Sequence, residues 1–145
     1  MQIDEFVEKL WILRGVMAGK AGQPHTALPL PELLRFGHVR GWLEDSDERF
    51  PYNPVDRRAA ARIVHQFMKI ELNIKDLADV SAAEKLKDLY TCRSCATHVA
   101  QVYCRGFIEC ESDLFNHLEL VSNFEAVQIF KRLRKLVEST ERVEN

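Results

Sequence analysis

None of the first 91 residues is a cysteine, and the four that follow (Cys92, Cys95, Cys104 and Cys110) fall within a span of 19 residues. That distribution excludes a long-range disulfide framework. In a reducing compartment it sets the expectation of thiols or metal ligands rather than bridges. No apolar run approaches the ~20 residues of a membrane-spanning helix, because charged residues interrupt every one. The start, MQIDEFVEKLWILRGVMAGK, lacks the basic head and unbroken apolar stretch of a secretory signal. The expected location is therefore the cytoplasm, or the cell envelope if the sequence is a domain of a longer protein. Neither sign of charge dominates: 20 basic against 22 acidic residues leaves a net −2, which argues against nucleic acid as a partner. Also missing are a glycine-rich phosphate loop, a nucleophile elbow and a His-Glu-x-x-His pair. Asp45, Asp47 and Glu48 lack the glycine and distal glutamate of a calcium-binding loop. What is present, 46% hydrophobic and 29% charged residues over 145 positions, fits one globular domain able to bury a core unaided.

Helical periodicity fills most of the chain. Ile3, Phe6, Val7, Leu10, Leu13 and Met17 share a face, predicting a helix over 3–18 that Gly19 and Gly22 stop. Residues 18–31 read as a linker. Pro31 suits the first turn of a second helix, with Leu33, Leu34, Phe36 and Val39 buried and Gly41 as its cap. A loop over 43–54 is expected to keep Asp45, Asp47 and Glu48 in water and to send Phe50 and Tyr52 into the core. Residues 55–72 resume a helix on Ala60, Ile63, Val64, Phe67 and Ile70. Ser81-Ala-Ala-Glu84 has the form of a capping box. Further helices are expected from Cys92 to Arg105, closed by Gly106, and from Val121 to Glu138, with STERVEN fraying. No useful strand-period segment appears, so the fold class is all-α.

Two stretches repeat the same punctuation: FGHVRGWLEDSDERFPYNPVDRRAAARIVHQFMKIEL from Phe36 and HVAQVYCRGFIECESDLFNHLELVSNFEAVQIFKRL from His98. Each has an amphipathic stretch ending in Arg-Gly-aromatic-aliphatic, an acidic loop, then another amphipathic stretch. Leu86-Lys87-Asp88-Leu89, Gly106-Phe107-Ile108, Gly41-Trp42-Leu43, Tyr52-Asn53-Pro54 and Val55-Asp56-Arg57-Arg58-Ala59 complete the pattern. This pattern resembles the S-layer homology repeat of bacterial cell-envelope proteins. That repeat reads F-x-D-v, a helix, G-[IV]-[IV], a loop with F-x-P, then [IVL]-T-R-A-E opening a second helix. The resemblance covers residues 31–135, about seven-tenths of the chain. It implies a single domain in which residues 1–30 form a helix and linker, 31–75 one unit and 76–140 the second. It further implies a non-enzymatic interaction or scaffold module that takes a protein partner or self-associates. The family binds anionic cell-wall polysaccharide, so the ligand candidates it implies are Trp42, Arg57 and Arg58. The physical jobs of these positions are structural. The glycines reverse the chain, and Asp56 and Ser122 accept an orphan backbone N–H at a helix start.

CRSCATHVAQVYC offers Cys92, Cys95 and His98 as metal ligands, with Cys104, Cys110 or His117 as a fourth. Zinc requires four ligands converging at roughly 2.0–2.3 Å. At ~100° per residue, Cys95 lies about 60° from Cys92 and His98 about 120°, so one helix does not bring them onto one ion. No cofactor is expected. The residues read instead as reduced packing thiols near a buried stripe. A redox C-x-x-C is the remaining reading, with a helix start present but the strands of a thioredoxin-like setting absent. Arg57, Arg58 and Arg62 read as a solvated face paired with acids such as Asp45 and Asp47, and KRLRK (131–135) as opposing the dipole of the last helix. His38 and His65 stand without a partner in readable register.

Overall fold

The computed structural model describes residues 1–144, with side chains through Ser139. Among these residues six helices follow one another: α1 (Ile3–Lys20), α2 (Leu30–Arg40), α3 (Asp45–Arg49), α4 (Arg57–Ile70), α5 (Arg93–Cys104) and α6 (Asn123–Glu144). Short 3-10 turns occupy Ser81–Lys85 and Leu89–Thr91. Among the described residues β structure is confined to two isolated bridges, Gln2 with Pro54 and Asp56 with Leu120. No helix of the described residues is long and apolar enough to cross a membrane.

Helix α4 is the centre of the molecule because nearly its whole circumference is apolar or paired. Ala60, Ala61, Ile63, Val64, Phe67 and Met68 are all buried, and its main neighbour is α5. Helix α1 packs on α2 and α6 through Phe6, Leu10 and Leu13, with Phe6 against Phe130 at 4.8 Å between ring centroids. Burying side chains of this size stabilises by ~1.5–3 kcal/mol each. Gly41, at φ 101°, ends α2 in the left-handed region and turns Trp42 inward. Trp42 is fully buried, edge-on to Phe36 and Phe67. Glu71, at the end of α4, holds this corner together. It accepts hydrogen bonds from Arg14 (2.9 Å), Arg40 (2.8 Å) and the Trp42 indole (3.2 Å).

The second half docks its loop on the start of α4. The backbone N–H of Arg57, Arg58 and Val121 bond the carbonyls of Glu119, His117 and Val55 at 2.8, 3.0 and 2.9 Å. Asp88 accepts the N–H groups of Phe115 and Asn116 at 2.7 and 2.8 Å, shaping that loop from below. Gly106 has φ 77°, and the helix starts are capped as expected: Asp56 accepts from Ala59 (2.7 Å) and Ser122 from Glu125 (3.1 Å).

Several expectations are corrected. The plug of the first loop is Trp42, and Phe50, Tyr52 and Val39 are exposed. Asp47 is buried rather than solvated, because Arg62 and the Glu44 N–H satisfy its carboxylate. Helix α1 runs past Gly19, and Gly22 (φ 69°) makes the turn. Ser81 caps nothing; the Asp79 carboxylate accepts its N–H at 2.9 Å and the segment is a 3-10 turn. Of STERVEN, the backbone through Glu144 continues α6; Asn145 and the side chains beyond Ser139 lie outside the described residues.

Candidate functional site

Cys92 is the last residue before α5 and has extended backbone, φ −120° and ψ 97°. Cys95 follows in the first turn, its N–H bonded to the Cys92 carbonyl at 3.1 Å. The turn brings the two α-carbons within 5.2 Å and the sulfurs are joined as a disulfide. This corrects the expectation of two reduced packing thiols: a helix start places residues i and i+3 on adjoining sides, which is the geometry a C-x-x-C bridge needs. Cys104 and Cys110 are thiols, and burial pushes the Cys110 thiol pKa up, which suits a packing role.

A cleft of about 430 Å3 opens beside the disulfide, between α3, the start of α4 and the first turns of α5. Arg58, Arg62 and His98 line it together with both cysteines. Two arginines there face the carboxylates of Glu44, Asp47 and Asp56. Arg62 is spent on Asp47, with contacts of 2.8 and 3.2 Å, and Arg58 lies 3.7 Å from Asp56. The wall therefore carries no surplus of positive charge. Cys95 is only 8% exposed, whereas Cys92 is half-buried and meets the cleft at the positive end of the helix dipole.

His98, one turn beyond Cys95, is the first of three connected groups. Its Nδ1 lies 2.8 Å from Nδ1 of His65, and Nε2 of His65 lies 2.7 Å from the Asp76 carboxylate. His65 is 2% exposed and sits on α4. Asp76 belongs to the connector after α4, which is strapped to α5. Gln101 makes two hydrogen bonds to the backbone of Leu77 (2.9 and 3.1 Å), and Arg105 donates to the Lys75 carbonyl at 2.7 Å. Burial, followed by the positive charges around it, lowers the His98 pKa to about 4. The hydrogen bond from His65 holds the Asp76 carboxyl below its ordinary value.

The three residues singled out for ligand binding do not converge. Trp42 is in the core, and Arg57 points away from the first loop into the second. Its guanidinium donates to the carbonyls of Phe115 (2.7 Å) and Glu109 (2.9 Å) and to the Glu125 carboxylate, and it lies over the Phe115 ring. Arg58 is exposed on the cleft beside the cysteines. Of the metal candidates, Cys92, Cys95 and His98 share the cleft, yet among the described residues no group of three or more His, Cys, Asp or Glu side chains is arranged to hold an ion. His65 and Asp76 were not legible as a pair: 11 residues separate them and only the turn after α4, with Asn73 at φ 53°, closes the distance. His38 likewise has a carboxylate, Glu48, at 2.7 Å. Comparison of the chain with protein-family models, curated proteins and solved structures gives no match.

Proposed function

We propose that the protein carries out thiol–disulfide exchange at Cys92 and Cys95. The observation that carries this reading is the disulfide across the first turn of α5, on the wall of an open cleft. In the reduced state the positive end of the helix stabilises a thiolate at Cys92, the more accessible sulfur. That thiolate attacks one sulfur of a partner disulfide; a mixed disulfide forms and one partner thiolate leaves. Cys95, losing its proton, attacks the Cys92 sulfur and releases the second partner thiolate. Two electrons pass to the partner, which ends as a dithiol while the protein ends as the disulfide. A thiol reductant reverses the cycle.

Intact-mass measurement after equilibration in thiol–disulfide buffers tests the reading: native protein should shift between reduced and oxidised forms with its helical circular dichroism unchanged. The variant Cys95→Ser should trap a mixed disulfide through Cys92, and Cys92→Ser should trap little. A pair that resists reduction until the protein unfolds contradicts the proposal.

A second reading, a non-catalytic interaction or scaffold domain like the S-layer homology modules, is supported by the apolar surface around the second loop. Leu114, Leu120 and Phe124 are exposed there and line one cleft. Self-association that Phe124→Ser abolishes, measured by sedimentation equilibrium, is its expected signature. Binding of anionic glycan would rest on Arg58, the accessible member of the arginine pair, and calorimetry with Arg58→Ala tests it.

A further inference from the structure

Resting on the exchange reading, we infer that Asp76, His65 and His98 form a proton relay that serves Cys95. The geometry fixes its polarity. A carboxylate only accepts, so Nε2 of His65 carries a proton toward Asp76, and one proton remains to be shared between the two Nδ1 atoms 2.8 Å apart. When that proton is on His98, Nδ1 donates to His65 and Nε2 holds a lone pair; no protein group among the described residues bonds that Nε2. When Nε2 takes up a proton, the Nδ1 proton passes to His65, whose cation is paired with Asp76. His98 is neutral in both states, which agrees with its depressed pKa.

Cys95 is the thiol that needs this help. It is the buried member of the pair, and burial raises a thiol's pKa. His98 is its i+3 neighbour on α5, so the two side chains stand on adjoining positions of one helix face. Cys92, two turns from His98 and at the helix start, has the dipole instead. The relay thus acts in the second step of exchange: it takes the Cys95 proton as that sulfur attacks Cys92, and delivers it to the His65–Asp76 pair. The side chain of Asp76 is 37% exposed, so the proton is released to solvent at that end of the relay. The charges facing the relay are Arg62 and Lys69 on α4, Arg105 at the end of α5, and Asp47 behind Arg62.

The test separates the two steps. Reduced protein is mixed with dithiobis-nitrobenzoate, which releases one coloured thiolate when Cys92 attacks and a second when Cys95 resolves the mixed disulfide. Release from Cys92→Ser/Cys95→Ser, which keeps Cys104 and Cys110, is subtracted. In Asp76→Asn, whose amide can donate to His65 and so removes the fixed polarity, the first phase should be unchanged. The second should slow about a hundredfold, the ordinary scale of general-base assistance. It should also gain a rate rise of about tenfold per pH unit, because Cys95 must then ionise unaided. His98→Gln should behave alike, and Asp76→Glu should restore most of the rate. Second phases identical to wild type in both variants across pH 5–8 overturn the relay while leaving exchange intact. Absence of any released thiolate above background in the wild type overturns both.

Discussion

Two neighbouring arginines show how much position decides at the scale of the single residue. The Arg57 side chain is 7% exposed and its donors are matched to carbonyls and a carboxylate, whereas Arg58 is 45% exposed beside a carboxylate at 3.7 Å. Removing one partner of a buried charge network leaves the others uncompensated, so Arg57→Ala should cost about 3 kcal/mol in urea unfolding. Arg58→Ala should cost less than about 1 kcal/mol. Their identical letters in the sequence hide this, because the groups that saturate Arg57 lie 52 to 68 residues away. Acid stability reports on His98. Its pKa is about 4 in the folded chain against an ordinary 6.5. Its contribution to stability is therefore complete above pH ~6.5, where folded and unfolded chains are both neutral, and is lost as pH falls toward 4 while only the unfolded chain binds the proton. Asp76, lowered from 3.8, loses its share only below that. Thermal midpoints measured from pH 7 to 4.5 should fall more steeply in wild type than in His98→Gln; equal slopes would refute the assignment.

At the scale of the element, the two helix-ending glycines separate backbone strain from crowding. A β-carbon at Gly106 would meet nothing within 4 Å, while one at Gly41 would lie 3.3 Å from Cδ1 of Ile70. Gly106→Ala should then destabilise by about 1 kcal/mol from the left-handed backbone alone, Gly106→Asn by less, and Gly41→Ala by more, all by calorimetric unfolding. These elements were legible because their signals are local: apolar spacing marked α1, α4 and α6, glycine marked the ends of α2 and α5, and Asp56 and Ser122 marked helix starts. Burial in the loops was not, since Trp42 and Tyr52 are equally apolar on paper and only the turn at Gly41 selects which one enters. The candidate site was half legible. Cys92, Cys95 and His98 stand together in the sequence, but the histidine and carboxylate behind them come from another helix and a connector.

For the whole molecule, the disulfide and the fold are separable. A bridge between residues three apart removes little freedom from the unfolded chain, and the cohesion comes from the buried side chains of α4, packed chiefly on α5, and the loop docked on its start. Reduction by dithiothreitol should leave the helical signal intact and shift the thermal midpoint by only a few degrees; unfolding on reduction would make the bridge structural. The docked loop has another consequence, for biosynthesis. The carbonyl of Phe115 that receives Arg57 follows it by 58 residues. At ~5–20 residues per second the ribosome needs about 3–12 s to supply it. Throughout that interval the nascent chain carries a central helix whose first turn and cation are still solvated, so the final collapse around α4 waits on translation rather than on any search by the chain.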